Sequence, residues 1–107
     1  MIVDMPLIMG PPSTAPNTLG LLSFNVSPDH DNVDYYEALL RVQGSSTVID
    51  TLNIGKPDPN TTGIAWYDIA AWLSSHAPGN YTVSVNSVNT DGSSDSVASS
   101  AFTVPLS

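Results

Sequence analysis

Cysteine is absent from all 107 residues of this chain. Without a thiol the protein has no disulfide, no thiolate nucleophile and no cysteine-ligated metal site. Its stability therefore has to come from packing. A chain of this length forms one domain that buries roughly two-thirds of its unfolded surface, which is enough to fold without a covalent or metal staple.

Positive charge is scarce. Arg41 and Lys56 are the only lysine or arginine residues, and 10 acidic residues give a net charge of −8 at pH 7. Binding to nucleic acid depends on clusters of lysine and arginine that neutralise phosphates and release counterions. We therefore expect no nucleic-acid partner.

Long hydrophobic runs are missing as well. No stretch approaches the roughly 20 apolar residues that cross a bilayer. The apolar N-terminus has no basic region and contains Asp4 and Pro6, so neither a signal peptide nor a transmembrane segment is predicted. We expect no membrane partner. Because the chain begins at Met1, we also expect a complete natural protein rather than an excised module.

Catalytic motifs are equally scarce. The chain has no Gly-x-Ser-x-Gly elbow, no glycine-rich phosphate loop and no His-Glu-x-x-His pair. His30 and His76 fall in predicted loops, and most carboxylates are aspartates in loops or near strand ends, where charge serves solubility. We expect no enzymatic activity and no cofactor.

Alternating apolar and polar residues are what the chain does contain. The clearest case lies between Gly79 and Gly92, where every second residue is suited to one buried face: Tyr81, Val83, Val85 and Ser87. This period of two predicts a strand buried on one side, in the centre of an antiparallel sheet. Turn-forming residues precede and follow it.

Further alternating segments predict strands near residues 19–27, 36–42, 47–54, 64–67 and 97–104. Asp68 is a good N-cap, and Ile69, Trp72 and Leu73 recur at helical spacing, so one short helical turn is predicted near residues 68–74. With an irregular first strand in residues 1–18, these segments make seven short strands spaced roughly 8 to 12 residues apart, which predict an all-β sandwich of two sheets.

Residues 1–18 form an extended, apolar and proline-rich N-terminal arm, ahead of the sandwich at residues 19–107. Missing N–H donors confine such a segment to an edge strand or a docking arm. It either covers one end of its own domain or packs on a neighbouring subunit. In the second case the partner-binding residues are Ile2, Val3, Met5, Leu7, Ile8 and Met9.

Two loops are candidate ligand sites. One holds three carboxylates that would suit Ca²⁺: Asp29, Asp31 and Asp34. It lacks the glycine and the distal glutamate of an EF-hand. The alternative is a solvated acidic loop that binds no ion. The other, residues 56–63, is predicted to be exposed, as binding loops are. Its ligand candidates, with the two indoles, are Lys56, Asp58, Asn60, Trp66 and Trp72. The indoles belong to the core or, if exposed, stack on sugar rings or anchor a protein interface.

The segment from Tyr81 to Gly92 resembles the sixth-strand signature of fibronectin type III domains. Tyr81 matches the corner tyrosine of that family, Ser87 its small position, and Asn89 with Gly92 its turn. Phe24 stands where the family usually has tryptophan, Tyr36 matches its third-strand tyrosine, and residues 101–104 look like its closing strand. The resemblance covers about residues 17–105 and implies a fibronectin type III-like, immunoglobulin-like sandwich. The chain departs from it in the helical connection and in the N-terminal arm.

A lone, acidic, cysteine-free sandwich with an apolar arm also resembles the small outer-surface proteins of tailed bacteriophage particles, including capsid decoration proteins and tail or fibre modules. That resemblance implies a structural protein made in the host cytoplasm and located on the virion surface. Its arm would bind capsid or tail subunits, or a second copy of itself. The alternative is a carbohydrate-binding or cell-surface adhesion module in which Trp66, Trp72 and loop 56–63 hold a surface glycan.

Overall fold

A computed structural model describes residues 3–8, 20–96, 98–99 and 101–105. Strands alternate with short turns throughout. The elements are β1 (Leu7–Ile8), β2 (Leu21–Asn25), β3 (Tyr35–Val42), β4 (Val48–Gly55), β5 (Ile64–Asp68), α1 (Ala70–Ser74), β6 (Gly79–Asn89), β7 (Gly92–Asp95) and β8 (Phe102–Val104). A single 3-10 turn, His30–Asn32, lies between β2 and β3 within the described residues.

The strands form two antiparallel sheets, one in the order β1-β2-β5 and the other in the order β4-β3-β6-β7. β8 pairs with the beginning of β6 and β7 with its end, on the side of β6 that faces away from β3. β7 and β8 are therefore two halves of one interrupted edge strand, and the sandwich has seven strands in effect. The predicted all-β, two-sheet sandwich with one short helix is confirmed.

β6 is the central strand that its alternation predicts. Tyr81, Val83 and Val85 point inward and are buried. Val83 and Val85 lie opposite Leu40 and Ala38 of β3, which are also buried, so the two strands supply one continuous apolar layer. This layer packs against the β1-β2-β5 sheet, and its burial is favourable for folding.

Tyr81 also fixes the turn that precedes β6. Its hydroxyl donates a hydrogen bond of 2.6 Å to the Ala77 carbonyl, four residues upstream. This is the geometry of a tyrosine corner, which ties the crossover between the two sheets of immunoglobulin-like sandwiches. The sequence signature at Tyr81 thus coincides with a specific structural contact.

The short helix begins at Ala70, and its N-cap position is occupied by Ile69 rather than by Asp68, the cap predicted from the sequence. Asp68 still receives the Ala70 N–H at 2.9 Å, so its carboxylate satisfies a donor at the helix start without being the cap residue. Ile69 and Leu73 are buried, and Trp72 is partly buried against the core. The helix therefore closes one end of the sandwich.

Residues 3–8 of the arm pack on their own domain. Val3 is buried, and its carbonyl accepts a hydrogen bond from the Ser94 hydroxyl. The Asp4 carbonyl accepts one from Ser87 at 3.1 Å. Leu7 and Ile8 then pair with β2, in the opposite sheet. The described part of the arm therefore links the two sheets and serves as an edge strand.

Candidate functional site

The outward surface of the β1-β2-β5 sheet carries exposed apolar side chains. The register of the strands decides which side chains lie on this surface. Phe24 and Ala65 lie opposite each other and are buried, so the next residues along each strand point outward. These are Asn25 and Ile64, and Leu7 of β1 lies in the same row. In the next row Trp66 of β5 lies opposite Ser23. We call the surface formed by Met5, Leu7, Ile64 and Trp66 the outer apolar face.

Three of these four side chains are about half exposed to solvent. Leu7 is 56% exposed, Met5 51% and Trp66 48%, whereas Ile64 is half-buried. Three large apolar side chains on one sheet surface are a typical mark of an interaction site, since single exposed apolar residues are common but grouped ones are not. Tryptophan is also the residue type that most often dominates binding energy at interfaces.

A shallow groove runs beside the arm at the end of this surface. Its volume is about 310 Å³, at the low end for ligand pockets, so it accommodates one or two side chains of a partner. Its lining is mixed apolar and polar: Met5, Leu7, Asn25, Val26, Pro28, Thr62 and Gly63. The groove therefore extends the outer apolar face toward the loop that precedes β5.

The arm residues predicted to bind a partner fall into three groups. Val3 is in the core and Ile8 is packed against it, so these two side chains stabilise their own domain. Met5 and Leu7 are exposed, and both line the groove. Ile2 and Met9 lie outside the described residues. Whether the arm docks on a partner stays a prediction, now carried by Met5 and Leu7.

The two tryptophans do not share a surface. Trp66 points outward from the β1-β2-β5 sheet, whereas the Trp72 indole N–H donates a 2.8 Å hydrogen bond to Asp50 on β4 of the other sheet. Trp72 therefore fastens α1 to β4 and is a structural residue. Of the pair predicted to stack on sugar rings, Trp66 alone presents an exposed indole.

Asp50 holds this end of the sandwich together. Besides the Trp72 indole it engages His76 Nε2 at 2.8 Å and the N–H of Thr51. Burial raises the pKa of Asp50, but the hydrogen bonds from His76, Thr51 and Trp72 outweigh that effect and hold the pKa below its ordinary value. The polar residue on an inward-facing position of β4 is thus explained by partners on α1 and the following turn.

The loop at residues 56–63 is fixed by Asn60. Its side-chain oxygen accepts hydrogen bonds from the Thr62 N–H, the Thr62 hydroxyl and the Ile64 N–H, at 2.8 to 3.0 Å. Asn60 therefore anchors the loop to the start of β5, and its side-chain oxygen is fully used in these hydrogen bonds. Lys56 and Asp58 are exposed in the same loop.

The acidic loop before β3 contains the 3-10 turn His30–Asn32. Asp29 accepts the Asn32 N–H through its carbonyl, and its own N–H bonds to Ser27 Oγ. No cluster of three or more histidine, aspartate or glutamate side chains placed to hold a metal occurs in the described part of the chain. The structure does not gather Asp29, Asp31 and Asp34 into a site.

Comparisons with protein-family models, with curated proteins and with solved structures find no significant match to this chain. The resemblance to fibronectin type III domains and to bacteriophage surface proteins therefore stays a prediction. Within the described ranges, no helix has the length and apolar character needed to cross a membrane.

Arginine provides no free positive charge for binding an anionic ligand. Arg41 Nη2 forms an ion pair of 3.2 Å with Asp95, and Nη1 donates to the Ser84 hydroxyl at 2.8 Å. These bonds join β3 to β6 and β7 across the outward surface of the second sheet. The surface potential of the chain is therefore dominated by its carboxylates.

A partly buried tyrosine–histidine contact lies at the other end of the sandwich. The Tyr36 hydroxyl accepts the Ser27 N–H at 3.1 Å and lies 2.8 Å from His30 Nδ1. Burial raises the pKa of Tyr36. Burial and then the charge of Lys56 lower the pKa of His30, although Asp31 and Asp58 oppose them. Nδ1 of a neutral His30 can accept a hydrogen bond from the Tyr36 hydroxyl, whereas a protonated His30 would donate to the Tyr36 oxygen, which already accepts the Ser27 N–H.

We expect mild acid to destabilise the protein through His30. Because its folded pKa lies below the unfolded value of 6.5, the unfolded state takes up the proton first. The stabilisation is complete above that value and is lost as the pH falls through the folded pKa. Thermal unfolding at pH values between about 7.5 and 5.5 should show this decline, and His30→Asn should flatten it. An NMR titration that places the His30 pKa above 6.5 would contradict the assignment.

Proposed function

We propose that this chain is a non-enzymatic structural protein that docks on a protein partner through its outer apolar face, as a surface component of a virus particle. The observation that carries the proposal is the grouping of Met5, Leu7 and Trp66, each about half exposed, on one side of a rigid sheet. Covering half of an apolar side chain of this size contributes about 1 kcal/mol. Three such residues and a groove would form the apolar centre of an interface of ordinary size.

Two structural features support a fibronectin type III-like module as the carrier of this face. The first, second and fifth strands share one sheet and the third, sixth and seventh share the other, which is the division found in immunoglobulin-like sandwiches. The Tyr81 hydroxyl makes the corner hydrogen bond. Such a module is a rigid spacer, and its function depends on what its surface contacts.

The virion setting is supported by the resemblance to small bacteriophage surface proteins. The charge of the chain also supports this location. Docking through the outer apolar face leaves the acidic loops of the sandwich in water, where a net charge of −8 keeps neighbouring copies apart and soluble. Capsid or tail subunits are the expected partners.

Replacing Met5 and Leu7 together by serine should weaken docking at least tenfold while leaving the fold intact, because both side chains are more than half exposed. The measurement is co-sedimentation of the purified chain with particles assembled without it. Val48→Ser with Ile49→Ser is the matched control, since these residues are similarly exposed on β4 of the other sheet. Equal binding by both double variants and the parent chain would contradict the proposed face.

A surface glycan is the second candidate partner, favoured by the exposed indole of Trp66. Of the two tryptophans only Trp66 presents an exposed ring, because Trp72 is packed against the core and its indole N–H is bonded to Asp50. In a Trp72→Phe background, the fluorescence of Trp66 reports on this surface alone. A saturable sugar-dependent change in that emission would favour a glycan over a protein partner, and Trp66→Ala in the parent chain should remove the sugar binding that calorimetry detects.

A further inference from the structure

Among the described strands, β5 lies at the edge of the β1-β2-β5 sheet, next to the outer apolar face. The Val26 N–H bonds to the Gly63 carbonyl and the Ile69 N–H to the Gly20 carbonyl, at the two ends of the β2–β5 ladder. These bonds show which backbone groups pair. The N–H and C=O groups of odd-numbered residues of β5 point toward β2, and those of even-numbered residues point away from it. The N–H and C=O groups of Trp66 and Asp68 therefore point to the free edge.

The start of this edge is already closed. Asn60 satisfies both backbone groups of Ile64, since its side chain accepts the Ile64 N–H and its own N–H donates to the Ile64 carbonyl at 2.8 Å. No described residue forms a hydrogen bond with the backbone of Trp66. The open stretch thus runs from Trp66 to Asp68, flanked by the exposed rings of Trp66 and Tyr67.

The edge of β4 is protected by comparison. Its ladder with β3 is interrupted by two register shifts, which twist an edge away from straight pairing. The Thr51 N–H, which faces away from β3, is capped by the Asp50 carboxylate at 2.8 Å, and the Gly55 N–H is capped by Asn53 at 2.7 Å. β5 has neither such caps at Trp66 nor a lysine or proline to block pairing.

We infer that an extended segment of a partner protein, carrying basic residues, adds to β5 as a further strand at Trp66 and Asp68. Alternating N–H and C=O groups along a straight edge are matched by an extended peptide backbone, which is the physical basis of strand addition. The Trp66 indole would lie beside the added strand and supply apolar contact. The inference rests on the proposed function only in taking the partner to be a protein.

Charge selects a basic segment over a second copy of this chain. Asp68 places an exposed carboxylate at the open edge, and the whole chain carries −8. Two copies would bring like charges together, whereas a lysine-bearing strand is attracted to this surface and its association is accelerated. The added strand is therefore expected to be cationic and free of proline.

The test uses the full chain, labelled with nitrogen-15, and the blocked peptide acetyl-Lys-Val-Lys-Val-Lys-Val-Lys-Val-amide as the probe. In the free protein the amides of Ala65 and Tyr67, which face β2, should exchange slowly, and those of Trp66 and Asp68 quickly. With saturating peptide the last two should exchange at least about tenfold more slowly. The same peptide N-methylated at every residue has no N–H to donate on either edge, so it should produce no such protection.

Several outcomes would overturn the inference. These are no binding up to millimolar peptide, equal binding of the N-methylated peptide, or binding that leaves the Trp66 and Asp68 amides unprotected. Protection that instead appears with rising protein concentration, without peptide, would identify a second copy as the occupant and also overturn it.

The edge and the proposed docking face can fail separately. The Met5→Ser, Leu7→Ser double variant should retain the peptide-dependent protection, because neither side chain belongs to β5. If that variant and Trp66→Ala, which keeps the N–H, both bind particles normally while Trp66→Pro, which removes this outward N–H, does not, the proposed face is wrong and the strand-addition site stands. The N-methylated peptide keeps the inference testable if Trp66→Pro does not fold.

Discussion

Phe24→Ala is expected to lower the free energy of unfolding by about 3–5 kcal/mol, a large part of the stability of a domain of this size. Phe24 is fully buried in the middle of β2. Its ring lies 5.2 Å from that of Tyr36, at a tilted angle that favours contact between aromatic rings. The residue opposite it on β5 is Ala65, which is too small to fill the cavity that the ring would leave.

Urea-induced unfolding measures this loss, and the chain offers a natural control. Phe102, the other of its two phenylalanines, is only partly buried on β8 at the margin of the core. Phe102→Ala should therefore cost less than half as much. Equal losses at the two sites would show that Phe24 is not the centre of the sandwich. A changed dependence on urea concentration would indicate that the two-state comparison fails.

The alternation of β6 could be read from the sequence because one face of a strand meets the core and the other meets solvent or a polar neighbour. Tyr81, Val83 and Val85 obey that rule. Strand β4 could not be interpreted in the same way. Asp50 occupies an inward position there because Trp72 and His76, more than 20 residues away in sequence, supply its donors. Local patterns carry no information about such partners.

The candidate docking face was only half visible in the sequence for a related reason. Met5 and Leu7 could be proposed as binding residues from their apolar character, and Trp66 from its type. Their presence on one surface depends on the register of β1 and β5 against β2. A shift of one residue in either ladder would turn Leu7 or Trp66 toward the core. Register is set by long-range pairing, so the sequence alone could not join them.

Gly20→Ala is expected to destabilise the protein by about 2–5 kcal/mol, through two additive causes. Gly20 has a φ of 72°, a left-handed conformation that costs other residues about 1–2 kcal/mol. An added Cβ would also lie 2.5 Å from the Ala70 Cβ and 2.7 Å from its Cα. Forcing α1 away from β2 to relieve this overlap costs about 1–3 kcal/mol and strains the bond from the Ile69 N–H to the Gly20 carbonyl.

Gly44→Ala separates these two causes. Gly44 has a φ of 84°, but a Cβ there would meet no atom within 4 Å. Gly44→Ala should therefore be destabilised by the left-handed backbone conformation alone. The difference between the two variants in thermal or urea unfolding measures how closely α1 approaches the start of β2. Near-ultraviolet circular dichroism should change in Gly20→Ala alone, because Trp72 moves with the helix. Full rescue of Gly20→Ala by Ala70→Gly would contradict this account, since the backbone atoms of residue 70 would still obstruct the new methyl group.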